Sequence, residues 1–430
     1  MSFNNDWKEV KLEEIVDIQS GYGFESQNLN NDGGGIPVIK IKNLTPPNIN
    51  VDDIQYYNGN IKNLDKYILK KNDILISMTG SHVNQMSSAV GKVSKIQFEN
   101  RNFLLNQRVG KFKILDNNLL DKDFLYYLVS RYEFQYKLAS GASGSANQAN
   151  ISAKQIKSIK VKLPPLEEQR KISKILSSLD QKISINKMMN YNLEAIAQSI
   201  YKNWFIEFEP FQDKEFINSE LGMIPKGWKV GYLGDKNLTE LVRGSIDKFD
   251  GEKIYLATAD VKNNKIKNYD TIITYNDKPS RANRKPEINT VWFAKMKDSR
   301  KIILVSEFDD FLINNIILST GFMGLEVKDI ALYYIWNFIY KEDFEKQKDK
   351  LCTGTTMEAI NMKNTKKINI LIPPKNILNE FNNLVEPIYK KISNNKRETR
   401  TLKELKESLL PKLMSGEIRV PLDEDAKDVN

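Results

Sequence analysis

Two long stretches of the chain carry apolar residues at alternating four- and three-residue steps, the period of a helix–helix seam rather than of a surface stripe. The first runs through Ile172, Leu176, Leu179, Ile183, Asn186, Asn190, Leu193, Ala197, Ile200 and Trp204. The second runs through Phe381, Val385, Ile388, Ile392, Asn395, Thr399, Leu402, Lys406, Leu409 and Leu413. Each predicts a helix of about 38 residues, roughly 55 Å long at ~1.5 Å per residue. A shift of 209 residues lays Ile183 on Ile392, Asn186 on Asn395, Asn190 on Thr399 and Leu193 on Leu402. The polar positions fall at mid-helix, and only antiparallel pairing with aligned centres brings Asn186 and Asn190 against Asn395 and Thr399. A buried amide without a partner is costly, so this pairing would fix the register. The alternative is that these side chains face water. Met188-Met189 reads as helix packing. Pro387 interrupts the second pattern, so that helix either kinks there or begins near Glu386 with the proline in its first turn.

Ahead of the first helix the period changes. Short β-branched runs at residues 36–41, 73–77 and 109–114, separated by Gly, Asn and Pro turns, predict strands. A helical pattern at residues 124–138, a Gly/Ala/Ser/Asn-rich loop at 140–150 and a last strand at 159–163 lead into Pro164-Pro165. The chain then repeats itself. Ile151-Ser-Ala-Lys154 and residues 159–165 are echoed 209 positions later by Ile360-Asn-Met-Lys363 and residues 368–374. Phe103-Leu-Leu-Asn106 is echoed by Phe311-Leu-Ile-Asn314, Tyr126-Tyr127-Leu128 by Tyr333-Tyr334-Ile335, and Trp7-Lys8 by Trp228-Lys229. A period this long is a duplicated domain plus helix, not a solenoid unit. The expected fold class is mixed α/β (α+β): two similar globular domains separated by a long antiparallel helix pair, with a pseudo-twofold internal repeat. The boundaries are expected at residues 1–163 for the first domain, 164–213 for the central spacer helix, 214–372 for the second domain and 373–430 for the C-terminal helix and tail.

Composition narrows the ligand. Lys+Arg of 64 against Asp+Glu of 55 in 430 residues gives a net charge of +9, which favours an anionic partner. One cysteine, Cys352, and one histidine, His82, leave no intramolecular disulfide and no His/Cys metal cluster within the chain. His82 reads as a loop residue. No apolar run approaches the roughly 20 residues a membrane span needs, and the first six residues are polar, unlike a secretory leader. A soluble, intracellular chain is expected.

Four motifs, in this order, resemble the specificity subunits of type I restriction–modification enzymes. Leu163-Pro-Pro-Leu-Glu-Glu-Gln-Arg170-Lys-Ile172 opens the first helix and Tyr201-Lys-Asn-Trp204-Phe205-Ile-Glu-Phe208 closes it. Leu221-Gly-Met-Ile-Pro225-Lys-Gly-Trp228 opens the second domain, and Leu410-Pro-Lys-Leu-Met-Ser-Gly416-Glu-Ile-Arg419-Val420 lies near the end. The resemblance implies that each globular unit is a target-recognition domain reading one half of a bipartite double-stranded DNA target. It implies that the helices set the half-site gap and dock two methyltransferase subunits, with a motor-nuclease restriction subunit joining for cleavage, in a prokaryotic cytoplasm. S-adenosylmethionine, ATP and Mg would belong to those partners, with no cofactor bound by this chain. The second helix departs from the pattern, having Lys375-Asn-Ile-Leu-Asn-Glu380 in place of Glu-Glu-Gln-Arg, so the two docking surfaces are expected to differ.

The chain shows no chemistry of its own. An adenine methyltransferase needs an Asn/Asp-Pro-Pro-aromatic loop, and the Pro-Pro pairs here sit in Thr45-Pro-Pro-Asn48, Leu163-Pro-Pro-Leu166 and Ile372-Pro-Pro-Lys375. Gly21-Tyr-Gly23 reads as a turn, and Asp309-Asp310 as a solvated pair rather than a metal site. Base flipping and methyl transfer then fall to partners.

A DNA reader needs Lys, Arg and small polar groups for phosphates, and Arg, Asn or Gln for base edges. In the first domain the candidates are Lys40, Lys42 and Asn43, then Thr79, Ser81 and Asn84 in one loop. Gln107 and Arg108 follow, with Ser143, Ser145, Asn147 and Gln148 in the glycine-rich loop. In the second domain they are Arg243, Lys262 and Asn263, the cluster Arg281, Arg284 and Lys285, then Lys295, Lys297 and Arg300, and finally Thr353, Thr355 and Thr356. Two rivals stay open: a coiled-coil scaffold with degenerate domains and no DNA role, and the recognition subunit of another modification-enzyme type.

Overall fold

The computed structural model describes residues 7–145 and 148–421. It falls into two compact units, one built from the chain up to Ile183 together with the chain from Thr401, the other from Ser184–Arg400. Both are mixed α/β.

In the first unit, strand Lys8–Lys11 pairs antiparallel with Lys160–Leu163, so the start and end of the globular part close on each other. Between them lies an antiparallel sheet in the order Val93–Lys95, Ile74–Ser77, Val109–Ile114, Val16–Ser20. Strand Ile74–Ser77 is buried throughout because its two faces serve two cores. Ile74 and Ile76 point to the helices, Leu75 to a second sheet, as a period of two requires. That second sheet runs Leu29–Asn30, Gln55–Tyr57, Ile36–Ile39, Phe103–Leu105, Ile68–Leu69, with Ile36–Ile39 and Phe103–Leu105 parallel. The helical pattern at 124–138 becomes two helices, Lys122–Val129 and Tyr132–Ser140, because Arg131 is extended (ψ 150°). The glycine-rich segment expected as a loop is instead a hairpin: Ser143–Ser145 pairs with Gln148–Asn150, which adds to Thr79–Gly80. Asn147 lies outside the described residues.

The second unit repeats this strand order with one strand fewer in its second sheet. Lys229–Tyr232 pairs with Asn369–Ile372. The antiparallel sheet runs Ile302–Val305, Thr290–Ala294, Phe322–Val327, Thr239–Leu241. The other sheet runs Ile272–Ile273, Lys253–Leu256, Ile316–Ser319, Ala282–Arg284, again with its central pair, Lys253–Leu256 and Ile316–Ser319, parallel. Val291 and Phe293 face the helices while Trp292 and Ala294 face the second core. One expected echo is corrected: Phe311-Leu-Ile-Asn314 lies in the short helix Asp310–Asn315, and the strand that matches Phe103–Leu105 in position is Ile316–Ser319. Four apolar-rich residues suit either element, and only pairing decides between them.

The two long helices span Leu166–Phe205 and Lys375–Ser415, 40 and 41 residues. The start near Glu386 does not occur; the helix runs through both Pro387 and Pro411. The carbonyls those prolines free belong to Asn383 and Glu407, both exposed residues, so the lost donor costs less there than in the core. Every seam position is buried or half-buried. In the second unit Asn395 Nδ2 donates to Asn190 Oδ1 (2.8 Å), Asn190 Nδ2 to the Ile392 carbonyl (3.3 Å) and Asn186 Nδ2 to Glu398 Oε2 (2.8 Å). In the first unit Lys406 Nζ donates to both oxygens of Asp180 (2.6 and 2.7 Å), and the Tyr127 hydroxyl donates to the same carboxylate (2.8 Å). Within each unit partner numbers fall as helix numbers rise, so the segments are antiparallel. Asn186 (1% exposed) and Asn395 (2% exposed) do not face water. Asn186 meets Glu398 rather than Thr399, which is half-buried one residue further on. Met188, by contrast, is 62% exposed and not part of the packing.

Candidate nucleic-acid interface

In the first unit one end of the sheets gathers a continuous run of polar groups. Strands Ile36–Ile39 and Phe103–Leu105 are parallel, so their carboxyl ends, Lys40 and Asn106, lie side by side, with Asn106 N donating to the Ile39 carbonyl (3.2 Å). Gly21-Tyr-Gly23 packs on the same edge: Tyr22 N donates to the Leu105 carbonyl (2.9 Å) and Gln107 N to the Tyr22 carbonyl (2.9 Å). A Cβ on Gly21 would stand 2.2 Å from the Asn106 carbonyl oxygen, so this turn needs glycine for close backbone approach. Met78 N donates to the Arg108 carbonyl (2.9 Å), which places Thr79–Ser81 next, and the hairpin of Ser143 and Gln148 follows through the Thr79–Asn150 pairing. The exposed members of this strip are Lys42, Asn84, Gln107, Arg108, Ser143 and Gln148. Ser145 stands opposite Gln148 in the hairpin register.

Some candidates are spent internally. Asn43 is 3% exposed; its Oδ1 accepts from Lys40 N (3.0 Å) and its Nδ2 donates to the Asn50 carbonyl (3.0 Å), so it holds a turn. Lys40 Nζ donates to Gln55 Oε1 (2.5 Å), and burial, then the charge of Lys42, push its pKa down. Thr79 is buried and bonds Asn150 Oδ1 (3.0 Å); Ser81 and Ser88 share a hydroxyl bond (2.8 Å).

The second unit builds the same strip with more cations. Arg281 precedes and Arg284 ends an edge strand, Ala282–Arg284, which replaces the loop expected there and carries a bulge. Thr320 N donates to the Arg281 carbonyl (2.8 Å) and Lys295 N to the Gly321 carbonyl (2.9 Å), so the arginines and Lys295 crowd together. The Lys295 pKa is lowered by burial first, then by the charges of Arg284 and Arg281. Met296 and Thr353 both pair with Ala359, which adds the segment of Thr353, Thr355 and Thr356, all exposed. Arg281 and Lys285 are exposed. Arg284 Nη1 donates to the Gly244 carbonyl (2.6 Å) and so ties Arg243–Gly244 to the strip. Lys297 is held by Glu358 (2.5 Å), and Arg300 bonds the Tyr340 carbonyl, 5.2 Å from that ring's centroid. Lys262 and Asn263 form a separate turn tied to Arg300–Ile302, with Asn263 in the left-handed region (φ 52°). Asp309 is not a solvated residue: it accepts from Ser306 N (2.9 Å), Ser306 Oγ (2.7 Å) and Ser393 Oγ (2.9 Å).

The Glu-Glu-Gln-Arg segment also works inside its own unit. Glu168, 1% exposed, accepts from Trp7 Nε1 (3.0 Å) and from Arg419 Nε and Nη2 (2.6 and 2.9 Å). Gln169, fully buried, accepts from Asp121 N (2.9 Å) and donates to the Leu119 and Pro164 carbonyls (2.9 and 2.8 Å). In the second helix Leu378 is buried at the matching turn and Ile377 packs beside it. The departure from the pattern therefore exchanges polar packing for apolar packing at a buried site, and says nothing of an outer surface. The sequence offered no signal that Trp7, Glu168 and Arg419 meet. Among the described residues no group of three or more His, Cys, Asp or Glu is placed to hold a metal ion, and no helix is long and apolar enough to cross a membrane.

Two mixed α/β units share a strand order, each running into a long seam-bearing helix and each presenting a polar or basic strip at one sheet end. Residues 4–195 match the family of the type I restriction modification DNA specificity domain. Over 96% of this chain and 94% of the relative, the sequence is 30% identical to the type I restriction enzyme MjaIX specificity subunit of Methanocaldococcus jannaschii. It is 24% identical to the HindI specificity subunit of Haemophilus influenzae, over 96% of this chain and all of that one. The crystal structure of the type I restriction–modification S subunit from M. genitalium shares the fold, with a TM-score of 0.59 at 17% identity over 96% of this chain and 98% of that one. The chain belongs to the specificity-subunit family of type I restriction–modification systems. Subunits of this family are non-catalytic and serve DNA specificity.

Proposed function

We propose that the two units read the two halves of a bipartite double-stranded DNA target. In this reading residues 1–163 and 214–372 are the target-recognition domains, duplicated about a pseudo-twofold repeat. The helix segments 164–213 and 373–430 set the gap between half-sites and dock two methyltransferase subunits, with a restriction subunit joining for cleavage. The observation that carries the reading is the recurrence of one strand order in both units, each with its exposed donors gathered at the same sheet end. The two strips differ in chemistry: Gln107, Arg108, Ser143 and Gln148 in the first, Arg281, Lys285 and Lys295 in the second. One scaffold with two surfaces suits two different half-sites. Phosphate neutralisation by the second strip would make its grip the more salt-dependent one.

The test is to co-express the chain with its methyltransferase subunit in a host free of DNA methylation and to sequence the genome for N6-methyladenine. A split motif with a fixed gap is expected. An intact complex that leaves no modified motif would overturn the reading in favour of a scaffold.

A further inference from the structure

Each unit has a hairpin-like connection between the two antiparallel strands that neighbour the strip, residues 78–92 in the first and 295–301 in the second. Both connections are clamped in the same way, by one side chain that donates to two loop carbonyls, from the helix that follows Lys122–Val129 in the first unit and Leu332–Ile339 in the second. In the first, Gln135 of helix Tyr132–Ser140 donates through Nε2 to the Met86 and Ala89 carbonyls (3.3 and 3.4 Å). In the second, Lys348 of helix Glu342–Lys350, fully buried, donates through Nζ to the Met296 and Ser299 carbonyls (2.9 and 3.5 Å). A buried ammonium needs countercharge, and Glu345 and Asp349 (3.3 Å) provide it. Asp349 also accepts from Asp298 N (3.2 Å), so the loop is gripped at three points.

We infer that Gln135 and Lys348 are positioning residues, each fixing the loop through which its own domain discriminates bases; the inference rests on the two-half-site reading above. Three features point this way. The loops carry polar members of the strip, exposed Asn84 in one and half-buried Lys295 in the other. The first is folded back on itself, with Ser81 N on the Ser88 carbonyl (2.9 Å) and Val90 N on the Ser81 carbonyl (3.1 Å), so it is a shaped object rather than a free connector. Moreover, a lysine that is fully buried and aimed at loop carbonyls is an expensive way to hold a surface loop, where an apolar residue would serve packing alone. Base readout needs donors held within fractions of an ångström, which explains why a loop would be pinned through its backbone rather than through the side chains it presents.

The experiment compares the full chain, in complex with its methyltransferase, carrying Gln135→Leu or the charge-balanced pair Lys348→Met with Glu345→Gln. Genome-wide N6-methyladenine motifs and the thermal unfolding of each complex are read together. Gln135→Leu should lower base discrimination about tenfold at one position or more of one half-site, leaving the other half-site and the gap unchanged. The lysine variant should do the same to the opposite half. Unchanged motifs in folded variants would overturn the inference. So would equal fading of both half-sites alongside a fall in melting temperature, which is what a merely structural role produces. If the lysine variant does not fold, Gln135→Leu alone decides. A wild-type complex with no motif would sink the two-half-site reading, and this inference with it.

Discussion

The Asn190–Asn395 pair lends itself to a double-mutant cycle whose outcome the geometry sets in advance. Asn395 is 2% exposed and its Nδ2 donates to Asn190 Oδ1 at 2.8 Å; Asn190 is half-buried and also reaches the Ile392 carbonyl. Replacing Asn190 by Leu strands a buried donor on Asn395, a cost of about 1–3 kcal/mol. Replacing Asn395 by Leu strands an acceptor on Asn190, which water reaches, so the cost should lie at the lower end of that range. Replacing both removes the penalty and adds apolar seam packing, so the double variant should be within about 1 kcal/mol of wild type or above it. The cycle therefore predicts a coupling energy at least as large as the larger single cost, approaching the sum of the two if the double variant matches wild type. Trp204, Trp228, Trp292 and Trp336 all lie in the Ser184–Arg400 unit and only Trp7 in the other, so tryptophan fluorescence in a urea titration follows the unit that holds the pair. Additive losses in the double variant would refute the reasoning, because the amides would then not be bonded to each other. A second readout separates stability from specificity: with two leucines the seam loses a polar layer that specifies register. The stable double variant should then methylate half-sites at more than one spacing. A single unchanged spacing would show that register is set elsewhere.

Three further outcomes follow from the same geometry. Arg419→Ala removes the charged partner of buried Glu168 and should cost about 3 kcal/mol in unfolding free energy, partly recovered by adding Glu168→Gln; no loss would mean the carboxylate is adequately served by Trp7 alone. Arg281→Glu with Lys285→Glu should weaken DNA binding and lower the slope of log affinity against log salt by about 0.9 for each phosphate no longer neutralised, read by fluorescence anisotropy; an unchanged slope would place those side chains off the phosphates. Arg284 is left out because its bond to the Gly244 carbonyl makes it part of the scaffold. Inserting one heptad into either long helix should change the half-site gap in the methylated motif and leave both half-sites intact, and altered half-sites would refute the spacer role.

The helices were legible in the chain because a heptad pattern is a local property: successive steps of four and three put the seam on one side whatever the rest of the protein does. Their antiparallel sense follows from that pattern and its polar midpoint, whereas the start of the second helix ahead of Pro387 and the burial of Asn186 and Asn395, both left open by the sequence, are settled by packing. The echo between the two halves was legible at its ends, where Pro164-Pro165 and Pro373-Pro374 each follow a closing strand, for a similar reason: the strand-to-helix corner is built from neighbours in sequence. What the sequence could not say concerns partners far apart along the chain. The hairpin at Ser143–Asn150 reads as a loop because its residues are small and polar, and only pairing with Thr79–Gly80 makes it sheet. Phe311–Asn314 imitates a strand until the true one, Ile316–Ser319, takes the place beside Lys253–Leu256. Asn43 and Arg284 look like free readers until their carbonyl and amide partners are in place. The ring of Trp7, Glu168 and Arg419 and the buried clamp of Lys348 have no local signature at all. The energy of a buried charge depends on what surrounds it in space, and that is settled only when distant segments have packed.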